Sequence, residues 1–343
     1  MSAAPPPSGR LRVHFENLTS KPPVFHLTPE RVAAARARHP AVDARLDVSQ
    51  SADLETLPSA LDTVEVLVTS YDVITHPRFP RDRLATAAPR LRWVFVTSAG
   101  VEKLLPLDWL PPGAALVNAS GAHADKAREG TLMLLLMAHA RVPRIAANQR
   151  ARHWHSLFTP GIAGRTLVVA GVGDIGGAFA ESGRSLGMRV LGVRRSGAPH
   201  PAVETMVTPD RLAELLPQAD ILVSALPLTA ATRHLIDADA LARLPEGASL
   251  ISAGRAGVVD MAAARAALAE GRLAGMIADV FDPEPLPPEA PEWETPDLVV
   301  MPHVCMDDID RFLPACLDIV FDNLARTLDG RPLANVVDPA AGY

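Results

Sequence analysis

Residues 166–176 read Thr-Leu-Val-Val-Ala-Gly-Val-Gly-Asp-Ile-Gly, with three glycines in the spacing GxGxxG. A buried apolar strand precedes the glycines, and a helical pattern with small residues continues from Ala178. This context decides the interpretation, because the motif alone is common, whereas strand, glycine turn and helix together are typical of dinucleotide binding. A purely structural turn is the alternative. The residues expected to contact the cofactor here are Gly171, Gly173, Asp174, Ile175 and Gly176.

The composition is that of a globular chain, with 343 residues, 48% of them hydrophobic, and a formal net charge of −6. This length allows two domains, and the negative charge argues against nucleic acid as the main partner. The two cysteines, Cys305 and Cys316, form no CxxC pair or Cys/His cluster, so neither a disulfide scaffold nor a metal site is expected. Residues 1–10 contain three consecutive prolines and predict a flexible tail. No apolar run is long enough for a membrane span, and we expect a cytoplasmic protein.

Short apolar runs alternate with longer helical patterns, which is typical of βαβ units and parallel sheets. The alternation occurs in two blocks. It predicts an α/β protein with two Rossmann/flavodoxin-like, doubly wound parallel-sheet domains separated by a cleft. In the first block, Thr28-Pro29-Glu30 indicates a helix start, because Thr caps helices and Pro favours their first turn. The predicted strands of this block begin at Leu11, Val64, Arg92 and Ala115.

The second block follows a long helix predicted at 122–140, rich in Ala, Leu and Met. Thr208-Pro209-Asp210 indicates a further helix start by the same capping argument. The last helix, 310–328, is expected to return to the first block, because the second sheet is complete without it. The predicted domains are therefore 11–120 completed by 304–343, and 121–303. The predicted strands of the second block are 166–170, 189–193, 221–225, 249–252, 276–280 and 298–301.

The end of the strand at 189–193 indicates which dinucleotide is bound. An NAD site places Asp or Glu there, to accept a hydrogen bond from the ribose 2′-hydroxyl. This chain has Arg194, Arg195 and Ser196 instead, and two guanidinium groups with a hydroxyl suit a 2′-phosphate. An exposed arginine pair without a role is the alternative. The sequence predicts NADP(H) as the preferred cofactor, with NAD(H) also possible.

Three side chains that follow later strands of the second block can carry chemistry, namely Arg255, Glu284 and His303. An open α/β sheet binds its ligand at the carboxyl ends of its strands, where these residues fall. Reduction of a 2-keto acid needs a cation for the carboxylate and carbonyl, a general acid, and a group that keeps this acid protonated. Each residue could instead be a surface ion pair, a solvated loop residue or a capping histidine. Their joint occurrence favours the catalytic interpretation.

At these residues the chain resembles the D-isomer-specific 2-hydroxyacid dehydrogenases, a family that includes glyoxylate/hydroxypyruvate reductases. The resemblance covers nearly the whole chain after the tail. Besides the glycine turn, it is carried by five stretches, Thr97–Val101, Leu226–Thr229, Ile251–Arg255, Asp279–Pro287 and Met301–His303.

The resemblance implies catalytic roles for the three side chains. Arg255 would bind the substrate carboxylate and carbonyl, and His303 would be the acid/base. Glu284 would hydrogen-bond to His303 and raise its pKa, since a carboxylate favours the imidazolium form. The resemblance further implies a split first domain completed by the C-terminal helix, a small 2-keto or 2-hydroxy acid as substrate, and a homodimer joined through the cofactor domains.

Further binding residues are implied in the same way. The substrate loop would present backbone N–H groups to the carboxylate, while other residues would contact the nicotinamide end or line the cofactor cleft. The loop would be Ser98, Ala99 and Gly100, the nicotinamide contact Asp279, and the cleft residues Pro227 and Ala253.

The chain departs from the family pattern at three places. The usual Asn before the arginine is Ser252, and the usual Gly after it is Ala256. Val304-Cys-Met-Asp-Asp308 replaces the small-residue run after the histidine, which puts the substrate's identity in doubt. Cys305 within it could act as a thiol nucleophile, but no matching base is apparent. Trp154, beside His155, would contact substrate or pack beneath the second block.

Two further interpretations of function remain open. A phosphonate dehydrogenase-like oxidoreductase would use the same Arg, Glu and His on another anion. A non-catalytic nucleotide-sensing or corepressor protein could share the fold, although retention of all three side chains argues against it. Formate dehydrogenase is disfavoured, because that branch has a Gln–His pair where this chain has Glu284.

Overall fold

A computed structural model describes residues 9–339 and divides the chain into two compact units. The first unit comprises the described residues within Met1–His123 and Asp308–Tyr343, and the second is Ala124–Asp307. The expected flexible tail lies outside the described residues except for Gly9 and Arg10. Each unit is built on one parallel sheet with helices, which confirms the predicted α/β class.

The first unit contains a five-stranded sheet in the order β2-β1-β3-β4-β5. The prediction missed β2, an edge strand on which polar side chains such as Asp47, Ser49 and Gln50 leave no apolar run. The other four strands lie where the sequence predicts them. The strands are β1 (Leu11–Asn17), β2 (Leu46–Ala52), β3 (Val66–Thr69), β4 (Trp93–Val96) and β5 (Ala115–Val117).

Six α-helices belong to this unit. The Thr28 hydroxyl accepts a hydrogen bond from the Arg31 N–H, so the predicted cap of the first helix is confirmed. The last helix packs on the sheet, where its Leu317 and Phe321 share a buried core with Phe15. The helices are α1 (Pro29–Arg38), α2 (Pro40–Asp43), α3 (Leu57–Ala60), α4 (Tyr71–Ile74), α5 (Leu84–Ala87) and, from the C-terminal part, α12 (Phe312–Leu328).

The second unit contains a seven-stranded sheet in the order β12-β11-β10-β9-β6-β7-β8. Six strands were predicted, and the missed β8 is a three-residue edge strand. The strand order reverses between β6 and β9, which is the switch point where doubly wound sheets bind ligands. The strands are β6 (Thr166–Ala170), β7 (Arg189–Val193), β8 (Thr205–Val207), β9 (Ile221–Ser224), β10 (Ala248–Ser252), β11 (Leu273–Ala278) and β12 (Leu298–Val300).

The remaining α-helices cover this second sheet. Thr208 makes no side-chain cap, so that part of the prediction is wrong; a 3-10 turn at Pro209–Arg211 precedes the short helix instead. None of the helices within residues 9–339 is long and apolar enough to span a bilayer. The helices are α6 (Ala124–His139), α7 (Val142–Arg150), α8 (Asp174–Ser185), α9 (Leu212–Leu215), α10 (Ala238–Ala242) and α11 (Met261–Ala269).

Candidate active site

The first and third glycines of the turn are required by the protein's own packing. Gly171 has φ +101°, and a β-carbon there would lie 2.7 Å from the carbonyl oxygen of Ala225. A β-carbon on Gly176 would collide with the carbonyl oxygen of Gly171. The turn therefore joins β6 to α8 at a separation that only glycine permits.

Gly173 is different, because no protein atom lies within 4 Å of the position where its β-carbon would be. Its φ of −100° lies outside the left-handed region, so neither a close contact nor a positive φ requires glycine there. Helix α8 begins at the next residue, and the first N–H groups of a helix have no acceptor within it. Open space beside these N–H groups fits the pyrophosphate of a dinucleotide, which binds at such helix ends.

The end of β7 carries cations and a hydroxyl. Arg194 is partly buried, whereas Arg195 and Ser196 are exposed, and Gly197 N–H closes a turn onto the Arg194 carbonyl. The Ser196 hydroxyl accepts from the Ala198 N–H at 3.3 Å, so its own hydrogen is left to donate. This donor set suits a ribose 2′-phosphate better than a 2′-hydroxyl.

His303 and Glu284 form a direct pair at the carboxyl end of the same sheet. His303 Nδ1 lies 2.8 Å from Glu284 Oε2, and the Phe281 N–H donates to Oε1 at 2.8 Å. Each carboxylate oxygen of Glu284 thus has one donor, and the two hydrogen bonds fix the orientation of this side chain. Pro283 and Pro285 flank Glu284 in the chain. The pair leaves Nε2 of a half-exposed imidazole as the nitrogen able to exchange a proton with a ligand.

The environment of this pair favours its ionised form. The hydrogen bond to Glu284 raises the pKa of His303 above its usual value, although burial opposes that effect. Burial alone would raise the pKa of Glu284, but the hydrogen bonds from His303 and the Phe281 N–H outweigh it and leave that pKa lowered. The imidazole therefore keeps its proton to a higher pH than a free histidine does.

Arg255 lies just after β10 and immediately before a 3-10 turn. A β-carbon on the preceding Gly254 would lie 2.6 Å from the Leu226 carbonyl oxygen, so glycine is needed for the chain to pass the segment after β9 this closely. The Arg255 Nη1 donates to the Gly254 carbonyl at 2.9 Å. Its charge lowers the pKa values of both Glu284 and His303, so these three predicted residues share one electrostatic environment.

Asp279 has a structural role that the sequence did not reveal. Its Oδ1 accepts from the N–H groups of Val304 at 3.1 Å and Cys305 at 3.4 Å, and burial raises its pKa. The carboxylate therefore anchors the segment after His303. Burial also raises the pKa of the Cys305 thiol, which hydrogen-bonds to Asp279. A thiolate is disfavoured, and this argues against Cys305 as a nucleophile.

Ser252, which replaces the family's usual asparagine before Arg255, leaves a polar group without a partner among the described residues. The buried hydroxyl of Ser252 has no hydrogen-bond partner within residues 9–339, and neither has that of Ser224, its neighbour in the adjacent strand. Ser252 therefore gives Arg255 no side-chain hydrogen bond. Pro227 and Ala253 are partly buried just beyond β9 and β10.

The remaining predicted residues include a loop of the first unit and an exposed tryptophan. Ser98, Ala99 and Gly100 form a tight loop directly after β4, with the Ser98 hydroxyl donating to the Gly100 carbonyl at 2.8 Å. Trp154 is 95% exposed, so packing beneath the second block is excluded. Sequence reasoning missed Asn118, whose amide donates to the Ala99 carbonyl at 3.0 Å.

Comparison with known proteins identifies the family. Residues 132–305, just over half of the chain, match the model of the D-isomer specific 2-hydroxyacid dehydrogenase NAD binding domain. Glyoxylate reductase from Aeropyrum pernix is 31% identical over 85% of this chain and 88% of its own length. Glyoxylate/hydroxypyruvate reductase B from Yersinia enterocolitica is 31% identical over 82% of this chain and 86% of its own.

Solved structures agree with this assignment. A D-isomer specific 2-hydroxyacid dehydrogenase from Xanthobacter autotrophicus, in complex with NADPH and MES, is 28% identical with a TM-score of 0.80, over 98% of this chain and 100% of that one. An NADPH-dependent glyoxylate/hydroxypyruvate reductase from Sinorhizobium meliloti, in complex with NADP and sulfate, is 28% identical with a TM-score of 0.78, over 97% and 100%. The chain therefore belongs to the D-isomer specific 2-hydroxyacid dehydrogenases, and is an NAD(P)-dependent oxidoreductase of this family.

Proposed function

We propose that this chain is an NADP(H)-preferring D-2-hydroxyacid dehydrogenase that acts as a 2-keto acid reductase on glyoxylate, hydroxypyruvate or a larger 2-keto acid. The observation that carries the proposal is the hydrogen-bonded pair of His303 and Glu284, with the pKa of His303 raised. A protonated imidazole beside an arginine is the donor set that carbonyl reduction needs. The relatives' names and the NADP complexes of two neighbours support it.

The reaction assigns one task to each side chain. A nicotinamide cofactor, when bound, would supply the hydride that the carbonyl carbon needs. Arg255 holds the carboxylate and stabilises negative charge that develops on the carbonyl oxygen. His303 donates its Nε2 proton to that oxygen, and Glu284 keeps the imidazole oriented and protonated beforehand. Asp279, implied by the resemblance to contact the nicotinamide, also anchors the segment after His303.

The deciding experiment measures NADPH and NADH oxidation against 2-keto acids from glyoxylate to phenylpyruvate, and NADP⁺ reduction with phosphite. We expect turnover with a 2-keto acid and a higher kcat/KM with NADPH. Turnover of phosphite alone would favour the phosphonate dehydrogenase alternative. Tight cofactor binding without any turnover would favour a nucleotide sensor.

The cofactor preference is expected to depend on Arg194 and Arg195. Replacing both by Ala should lower kcat/KM for NADPH about 10- to 100-fold, the scale of charge-assisted hydrogen bonds, and leave NADH nearly unchanged. Arg243→Ala, at an exposed arginine away from β7, is the matched control. An equal loss with both cofactors would contradict the assignment of a 2′-phosphate site.

The pH profile of reduction is expected to report His303. Because the protonated imidazole is the active form, kcat/KM should be level at low pH and fall as pH rises through a pKa above 6.5, the ordinary histidine value. Glu284→Gln removes the main cause of the raised pKa of His303, so the fall should move to lower pH. The control Glu289→Gln alters an exposed carboxylate of the same proline-rich segment. Identical profiles for wild type and Glu284→Gln would exclude this coupling.

A homodimer formed through the second unit is part of the proposal, as is a cytoplasmic setting. Trp154 and Phe158 are 95% and 93% exposed, and Leu136 and Ile145 are also exposed in this unit. We propose that these side chains belong to the dimer interface, because large exposed apolar patches mark interaction surfaces. Sedimentation should give a dimer for the wild type and a smaller species for Trp154→Ala/Phe158→Ala. A monomeric wild type would exclude the homodimer. The control Trp293→Ala should remain a dimer.

A further inference from the structure

The carbonyl groups of Ser98, Ala99 and Gly100, in the loop after β4, all accept hydrogen bonds from groups of the first unit. The Ser98 carbonyl accepts from the Ala119 N–H at 3.0 Å, and the Ala99 carbonyl accepts from the Asn118 amide at 3.0 Å. The Gly100 carbonyl accepts from the Ser98 hydroxyl at 2.8 Å. Three successive peptide groups therefore have a fixed orientation.

The opposite side of these peptides carries free donors. In a trans peptide the C=O and the following N–H point in opposite directions. The N–H groups of Ala99, Gly100 and Val101 consequently point away from the groups that hold the carbonyls. None of the three has an acceptor among residues 9–339. Free backbone N–H groups in a turn can donate to an anion such as a carboxylate.

Asn118 is the side chain that fixes the middle peptide. It is only 5% exposed and directly follows β5. Its Oδ1 accepts from the Ser120 N–H at 3.2 Å, which leaves Nδ2 directed at the Ala99 carbonyl. The amide thus links two loops at the carboxyl end of the sheet. Its orientation is determined, because a flip that interchanged Oδ1 and Nδ2 would lose both hydrogen bonds.

Asn335, near the C-terminus, holds Asn118 in turn. Its carbonyl accepts from the Asn118 N–H at 3.1 Å, and its Nδ2 donates to the Ser120 carbonyl at 2.8 Å and to the Asn118 carbonyl at 3.4 Å. Its φ of +55° is a left-handed conformation that asparagine tolerates better than most residues. The Val337 N–H donates to the Leu116 carbonyl at 2.9 Å, which ties this segment to β5.

We propose that Asn118 and Asn335 are positioning residues that preset the loop Ser98–Gly100 for the carboxylate of a 2-keto acid. The inference rests on the proposed function and names how one part of its substrate site is held. Asn118 acts through the Ala99 carbonyl, and Asn335 acts through Asn118. The C-terminal segment therefore contributes to substrate affinity although neither asparagine needs to touch the substrate.

The first test is a pair of substitutions with separate kinetic readouts. Asn118→Ala should raise KM for the preferred 2-keto acid about 10-fold, with kcat within a few-fold, because the carboxylate is bound alike in ground and transition states. Asn335→Gly keeps the left-handed backbone and removes only the amide, so it should raise KM about 3-fold. The dissociation constant of NADPH should not change in either variant.

The second readout needs no turnover. Binding of oxamate, a non-reducible analogue of a 2-keto acid, to the NADPH-bound chain should weaken in both variants by the same factor as KM rises. Val336→Ala changes a half-exposed side chain of the same segment and is the control. Unchanged KM and oxamate affinity in both variants would overturn the proposal. A loss of NADPH affinity as large as the loss of oxamate affinity would also overturn it.

Failure of the proposed function gives a different result. If the wild type reduced no 2-keto acid but bound oxamate, and Asn118→Ala weakened that binding, the proposed reductase activity would be wrong and the role of the asparagines supported. If the wild type reduced a 2-keto acid and both variants kept its KM, the activity would stand and the positioning role would be wrong.

Discussion

Arg255→Ala is expected to lower kcat/KM for 2-keto acid reduction by about 10³-fold or more. Loss of one donor to a developing oxyanion costs about 10²- to 10³-fold, and Arg255 is assigned to the carboxylate as well as the carbonyl oxygen. Steady-state kinetics with NADPH and the preferred 2-keto acid would measure the loss. The dissociation constant of NADPH should stay near the wild-type value.

Arg255→Lys separates charge from geometry in the same assay. Lysine keeps one positive charge but lacks the planar fork that binds a carboxylate through two parallel hydrogen bonds. We therefore expect activity between those of wild type and Arg255→Ala. Arg243→Ala should behave as wild type. An Arg255→Ala variant within a few-fold of wild type would refute the assigned role.

His303→Gln is expected to lower kcat about 10²- to 10⁴-fold, the usual contribution of a positioned general acid. Glutamine can hydrogen-bond to Glu284 but cannot deliver a proton. The residual rate should therefore lose the fall at rising pH that marks the wild type. Single-turnover measurements with NADPH bound would show the loss in the chemical step itself.

Cofactor affinity is the control for this variant. His303 lies outside the glycine turn and the end of β7, so the dissociation constant of NADPH should change little. If cofactor binding and turnover were lost together, the substitution would have disturbed the fold of the second unit, and the assignment of His303 as the acid would lack support.

The sequence predicted most of the second sheet because its strands are apolar on both faces and alternate with helices. Strands β2 and β8 were missed, since edge strands need no continuous apolar run and β8 has three residues. Thr208 was misjudged because a capping residue type does not ensure the cap. A Pro-initiated 3-10 turn formed there instead.

The candidate site was predictable where chemistry coincides with strand ends. Arg255, Glu284 and His303 follow β10, β11 and β12, and neighbouring parallel strands bring their carboxyl ends together. The hydrogen bonds between Asn118 and Asn335 join residues 217 positions apart, and no local pattern announces such contacts. Only the folded chain reveals them.

Gly130 illustrates the same limit at another place. It lies within helix α6, where glycine is intrinsically unfavourable. A β-carbon there would collide with the carbonyl oxygen of Cys305. The helix therefore packs closely against the segment after His303. The sequence alone indicates only a glycine that weakens the helix, and not this contact.

The backbone of His303 has φ +55°, a left-handed conformation that costs a non-glycine residue about 1–2 kcal/mol. The segment that follows is anchored by Asp279, so the surrounding structure imposes this conformation on the histidine. The position of this one imidazole thus lowers the free energy of unfolding. Screens that select only for heat resistance would favour glycine or asparagine at position 303, and would recover stabler proteins that have lost their acid.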